Sequence, residues 1–311
     1  MTTLVTGATG FLGGHLVAAL RERGDQIRAL ARTPAAAERL GVEVVAGDIT
    51  DGDAVRRAVA GCDQVFHLAG VVSHDQRDLA RMRAVNVGAT RALLTAVDPG
   101  TRVVHVSSVA AVGPAPSRTA RANEEQPFPT TIAGLPYATT KREGELVALA
   151  AAANGVDVVI ANPAFLLGPG DVHRVSTWPI DAYLSGKLRV RTAGGLAFAD
   201  ARDIAAGLVL LNEQGRAGER TLLASSEGNL SWQEFFALVG QVSGKKRLMV
   251  SLPARVAALG SRIVPSPVSA GEIRAAGHWW FYDGAKAERE LGFRCRPIAE
   301  TVADTIADHR A

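Results

Sequence analysis

The chain is poor in aromatic residues (5%), has two cysteines, and shows neither a run of like charge nor an uninterrupted apolar stretch of bilayer length. Each shortage excludes something. Cys62 and Cys295 stand far apart, without metal-ligand spacing or a nearby histidine cluster, so a disulfide framework and a zinc site are not expected and no metal is assigned. Thirty-four Lys+Arg and 31 Asp+Glu leave a net charge of +3, interspersed and without aromatic interleaving, which argues against nucleic acid as a partner. The most apolar stretch, LVALAAAANGVDVVIANPAFLLG (146–168), is divided by Asn154, Gly155, Asp157 and Pro163 into pieces too short to span. The opening MTTLVTG has no basic or separate apolar region of a signal peptide. These features predict a soluble, cytoplasmic protein with no membrane partner.

What is abundant points to an α/β fold. Hydrophobic residues make up 47% of the 311 positions, with Ala, Val, Leu and 32 Gly dominant, as in Val-rich buried strands alternating with Ala/Leu-rich helices. Strand-like runs TLVTG (3–7), QIRALA (26–31), VEVVAG (42–47), QVFHLAG (64–70), RVVHVSS (102–108) and DVVIANP (157–163) alternate with helical patterns near 11–23, 51–60, 77–97 and 137–154. That recurrence predicts a Rossmann doubly wound sheet of six or seven parallel strands. Beyond 165 the alternation fades into Gly/Pro-rich loops such as LLGPGD (166–171) and RIVPSPVSAG (262–271), predicting a smaller, mostly helical C-terminal substrate lobe. DARDIAAGLVLLNE (200–213) again reads as a helix of the main unit. The division is therefore 1–165 plus about 200–224 for the dinucleotide domain, and about 166–199 plus 225–311 for the lobe.

TGATGFLGGHLVAAL (6–20) follows the first strand and opens the first helix. Gly7 permits a tight turn, Gly10 removes a side chain where a pyrophosphate must approach the backbone, and Gly13 lets helix and strand pack. With Thr9, Phe11 and Leu12 they form a candidate cofactor loop whose helix N-terminus offers free N–H groups to an anion. The second strand ends at Arg32, where an acid would hold a ribose 2′-OH and an arginine a 2′-phosphate. Arg28 lies nearby, so NADP(H) is favoured and NAD(H) stays open.

LPYATTKREGE (135–145) sets Tyr137 and Lys141 four apart on one helix face, in a chain with only 3 Tyr. The pair is either a proton-transfer couple or two amphipathic side chains. For a phenol of ordinary pKa near ~10 to titrate near neutrality, about 4 kcal/mol of depression is needed, which a fixed ammonium beside an oxidised nicotinamide can supply. Context favours the couple, because HVSSVAAVG (105–113) ends a strand in two hydroxyls, Ser107 and Ser108, on the sheet edge where ligands of open α/β folds gather.

TGATGFLG (6–13), GDITD (47–51), HLAG (67–70), NVGAT (86–90), VSSVAAVG (106–113), YATTK (137–141) and NPAFLLGPG (162–170), in that order, resemble the extended short-chain dehydrogenase/reductases. The likeness is greatest to the branch holding dihydroflavonol reductases, 3β-hydroxysteroid dehydrogenases and hopanoid-associated sugar epimerase-like proteins. It extends to DGAKAERELGFRCRP (283–297). The resemblance implies Tyr137 as general acid/base and Lys141 lowering its pKa while binding the nicotinamide ribose. It implies Ser108, five before Gly113, polarising the substrate oxygen, and Asn86 supporting the proton relay. It further implies Asp48 and Ile49 at the adenine, Leu68, Ala69 and Gly70 along the adenosine, Val106 beside the cofactor, and Pro163, Ala164 and Phe165 at the carboxamide. A homodimer through the helices near 77–97 and 137–154 is also implied. Read blandly, Asp48 is a turn residue and Asn86 a buried helix polar group.

The predicted reaction is reversible hydride transfer between the nicotinamide and a ketone or secondary alcohol. Ser108-Val109-Ala110 lacks the Asp-Glu pair of the family's dehydratases, and LAFADARDIA (196–205) keeps only Asp203 of the sugar-nucleotide pattern. The candidate substrate contacts are Val71, Ser108, Val109, Ala110, Phe165, Trp178 and Tyr183, suiting a small cyclic or apolar molecule. His74 and His173 read as solvated loop histidines, and WWFYDG (279–284) as lobe packing. A nucleotide-sugar epimerase with tightly held NAD and a non-catalytic dinucleotide sensor are the alternatives.

Overall fold

The Val- and Ala-rich runs form the strands of one parallel sheet in the computed structural model, which describes residues 1–260 and 268–309. Six strands are β1 (Thr2–Thr6), β2 (Gln26–Ala31), β3 (Glu43–Ala46), β4 (Gln64–His67), β5 (Arg102–Val106) and β6 (Val158–Pro163); Arg220–Leu223 adds the seventh. The spatial order is β3, β2, β1, β4, β5, β6 and Arg220–Leu223, every neighbouring pair being parallel. Chain direction across the sheet reverses between β1 and β4, so a crevice opens at the C-terminal ends of those two strands. β4, β5 and β6 are buried along their length because helices cover both faces.

Two helical elements on one face set the site. A helical run comprises Leu79–Arg83, a π-segment Ala84–Ala89 and Thr90–Ala96. Against it packs the tyrosine helix, Pro136–Ala153, which begins on a proline whose missing N–H is no loss in a first turn. Their close approach depends on Gly144, where a Cβ would stand 2.3 Å from the Asn86 carbonyl oxygen.

The lobe has more sheet than its composition indicates. Strand Gly195–Asp200 pairs antiparallel with Asn229–Ser231 and parallel with Trp279–Trp280 and Phe165–Leu167. Helix Trp232–Ser243, started by a Ser231/Glu234 capping box, lays Phe235 on Phe198 in a stacked pair 4.2 Å apart. WWFYDG packs as expected: Trp280, Phe281 and Tyr282 are buried. Of the Gly/Pro-rich loop 262–271, residues 262–267 lie outside the described residues.

Candidate active site

The turn after β1 is built for a ligand that approaches the backbone. Gly7 has φ +75°, and a Cβ there would sit 2.9 Å from the Ala69 amide nitrogen. At Gly13 a Cβ would sit 2.1 Å from the Gly7 carbonyl oxygen, so the helix Phe11–Glu22 reaches the turn only without one. That helix has Gly10 as N-cap and no side-chain cap, which leaves its first amides to a ligand. Thr9 and Gly10 are exposed beside half-buried Phe11 and Leu12, and the loop Leu68-Ala69-Gly70 faces them across the β1/β4 crevice. These free amides beside a turn without side chains are the donors that a dinucleotide pyrophosphate would need.

At its far end Arg32 is exposed just past β2. Asp48 accepts from the Thr50 amide (2.8 Å) and hydroxyl (2.7 Å), and these bonds, aided by Arg32 and Arg81, hold its carboxyl below the usual range. Ile49 is buried behind it. Arg28 is not available to a phosphate: it donates to Glu43 (2.8 Å) and to the carbonyls of Ala58 and Ala60. Its place in mid-strand, three residues before the edge, sends the side chain to the end of the neighbouring helix.

The catalytic candidates converge at the ends of β4, β5 and β6. Ser108 stands near the Tyr137 phenol and draws its pKa down, and the Ser108 oxygen accepts from the Ala110 amide at 3.1 Å. The Lys141 ammonium is buried and donates to the Val106 carbonyl at 2.9 Å. Burial pushes it down to about 8, partly countered by Glu145. The expected depression of Tyr137 is not supplied by the protein alone: burial pushes the phenol up, and Ser108 pulls it down by less. The Lys141 ammonium is oriented by its bond to the Val106 carbonyl, which leaves its charge in place.

Asn86 holds the Val71 backbone at both ends, accepting from its amide (2.8 Å) and donating to its carbonyl (3.0 Å), and donates to Thr140 Oγ1 (3.1 Å). It ties the Gly70–Val71 loop to the tyrosine helix. A Cβ at Gly70 would lie 3.3 Å from Asn86 Oδ1 and 3.8 Å from Lys141 Nζ, so both polar groups border the same small space. Val109 and Ala110 are buried beneath Ser108, and Pro163 and Ala164 close the end of β6. Phe165 stands edge-on to Phe198 at 5.7 Å.

Two expectations are corrected. Tyr183 is not presented to a substrate: it is buried, stacks on Phe236 and donates to the Lys245 carbonyl, because its helix turns it into the lobe core. His74 is not a solvated loop histidine. Its ring stands edge-on to Tyr137 at 6.2 Å, with Nδ1 buried and without a hydrogen-bond partner among the described residues, and burial holds its pKa below the ordinary value. Trp178 lines an apolar cavity of about 540 Å³ in the lobe, and His173 is exposed.

Several supporting residues had no sequence signal. Asn162 donates both to the Ser108 carbonyl (2.9 Å) and to Glu145 (2.6 Å), and Glu145 in turn pairs with Arg142 and Arg220. Tyr282 donates to the carbonyls of Val109 and Gly113, both 3.0 Å, anchoring the loop behind Ser108. Asp203, the remnant of the sugar-nucleotide pattern, is engaged by Arg296 at 2.8 Å.

A parallel doubly wound sheet, a glycine turn at its switch point and a serine–tyrosine–lysine group at the strand ends define an NAD(P)-dependent oxidoreductase of the short-chain dehydrogenase/reductase type. The chain is 31% identical to sterol demethylase protein B of Methylococcus capsulatus, across 99% of this chain and 98% of that protein. It is 30% identical to a 4-hydroxy-2-methyl-3-oxo-4-farnesyl-3,4-dihydroquinoline-1-oxide ketoreductase of Stigmatella aurantiaca, across 98% and 96%. A dTDP-glucose 4,6-dehydratase of Streptomyces venezuelae with NAD bound superposes with a TM-score of 0.78 at 25% identity, covering 100% of this chain and 97% of that one. The model of the NAD dependent epimerase/dehydratase family matches residues 3–224, and the chain belongs to that family.

Proposed function

We propose that the protein interconverts a ketone and a secondary alcohol on a small apolar or cyclic substrate, with Tyr137 as the proton-transfer group. The observation that carries this reading is the convergence of Ser108, Tyr137 and the buried Lys141 ammonium at the strand ends, with Tyr137 and Lys141 one turn apart on the same helix. A bound nicotinamide supplies or accepts the hydride. Ser108 polarises the substrate oxygen, and burial keeps the Tyr137 phenol protonated, the form that donates a proton to a nascent alkoxide during reduction. Lys141, fixed by Val106, orients and charges the space beside Gly70. Asn86 holds that loop and supports the relay. Residues 1–165 and about 200–224 carry the cofactor, and about 166–199 with 225–311 the substrate.

The ketoreductase relative supports reduction of a ketone. The nucleotide-sugar reading has support from the dehydratase neighbour, but the run after Ser108 here is Val109-Ala110 and Asp203 is bound to Arg296. Tyr137→Phe should lower turnover of cyclic ketones, followed at 340 nm, by at least about a thousandfold while sparing cofactor affinity. Retained turnover would remove Tyr137 from the mechanism.

We further propose NADP(H) as the preferred cofactor, since Arg32 is exposed at the end of β2 and makes no ion pair among the described residues. Arg32→Ala should weaken NADPH about tenfold or more and NADH hardly at all. A parent enzyme that prefers NADH overturns this assignment.

A further inference from the structure

Two segments of the lobe, 184–192 and 244–260, form one face. Val190–Arg191 pairs with Val250–Ser251, and Arg247 and Lys245 both donate to the Leu184 carbonyl, at 2.7 and 3.4 Å. The first segment carries Lys187, Arg189 and Arg191, the second Lys245, Lys246, Arg247 and Arg255, and neither contains an Asp or Glu. Among the described residues none of these cations forms an ion pair. The carboxylates on adjoining helices are engaged elsewhere, Asp181 by Arg174 and His309, Glu272 by the Ser269 amide.

Apolar side chains project from the same face. Leu248 is 93% exposed, Val250 and Leu259 61%, and Val256 54%. Isolated exposed hydrophobics are ordinary, but these lie on the two segments that also wall the cavity of about 540 Å³, which is lined by Lys187, Arg189, Val190 and Val256 together with Trp232 and Phe236. Protruding aliphatics set among unpaired cations suit a surface that is anionic outside and hydrocarbon beneath.

We propose that this face docks the protein on an anionic lipid surface, with Leu248 and Val250 among the headgroups, the cations on the phosphates, and the cavity opening toward the bilayer. It revises the expectation of no membrane partner. No helix among the described residues is long and apolar enough to cross a membrane, which bears on spanning and not on lying against one. Binding is read without turnover, so the inference stands apart from the redox reading.

The test is flotation of the full chain with phosphatidylcholine vesicles and with vesicles containing phosphatidylglycerol. Anionic vesicles should carry the protein and neutral ones should not, and molar salt should release it. Lys245→Glu/Lys246→Glu and, separately, Leu248→Asp should each lower the bound fraction at least about tenfold. These exposed changes should leave the circular dichroism spectrum intact, and the control Arg57→Glu, in the helix Gly52–Val59 of the main sheet unit, should bind as the parent. Failure to float with anionic vesicles, equal binding to neutral ones, or indifference to both substitutions overturns the proposal.

Discussion

At the scale of single residues, the geometry of Ser108 depends on groups that never touch a substrate. Asn162 is fully buried and its amide bridges the Ser108 carbonyl to the Glu145 carboxylate, which two arginines hold in place. The expected outcome of Asn162→Ala is a kcat about tenfold lower, ~1.4 kcal/mol, with cofactor affinity unchanged. Stopped-flow turnover alongside fluorescence titration of NADPH separates the two, and equal loss of both would mean collapse of the fold and not displacement of the serine. Tyr137 and Lys141 drew notice because their spacing puts them on one helix face, and Ser108 was chosen over Ser107 on the family resemblance. Asn162, Glu145 and Tyr282 were not, since their value lies in partners 17 to 173 positions away that only the fold brings near. Tyr183 misled for the converse reason: an aromatic in a candidate pocket segment reads the same whether it faces the ligand or the core.

At the scale of elements, β4 and β5 place His67 opposite His105 in register, ring centroids 5.6 Å apart and both buried. His67 bonds with Thr6 and Thr90, while His105 Nδ1 has no hydrogen-bond partner among the described residues. Burial, with Lys141 adding repulsion, holds His67 near a pKa of about 3; burial and then His67 push His105 well down. The sign follows from the proton count. Between the unfolded pKa of ~6.5 and these lower folded values, the unfolded chain binds more protons, so stability is full above ~6.5 and falls as pH drops. From pH 7 to 5 each histidine should cost on the order of 2 kcal/mol, and in His105→Leu that acid loss should shrink by about half. Urea unfolding at the two pH values measures it; a parent with equal stability at both contradicts it. Six of the seven strands were legible from buried apolar runs, and the main helices from their period; the seventh, Arg220–Leu223, is too short to have been located. The π-segment at 84–89 and the lobe strands of two or three residues were not, because such short pieces have no periodicity to read.

At the scale of the whole molecule, the outer surfaces of the two site-bearing helices form a groove that no described residue fills. Val87, Leu94, Leu146, Val147 and Ala150 line it, flanked by Arg91 and Glu143, and Leu146 is 48% exposed. A two-fold axis along that groove would set the same apolar patch against itself, with Glu143 at its edge already held by Arg83 of its own chain. We therefore expect a homodimer in which the tyrosine helix and the run through Asn86 pack on their counterparts. Such an interface would stiffen the elements that hold Lys141 and Asn86, so dimerisation and turnover should fall together. Light scattering after size exclusion should give twice the 32.5 kDa chain mass for the parent and a single chain mass for Leu146→Asp, with kcat several-fold lower in the variant. A parent that elutes as a monomer removes the dimer. A monomeric Leu146→Asp with parental kcat would keep the dimer but detach it from catalysis, leaving the Asn86 and Gly144 contacts within one chain sufficient to hold the site.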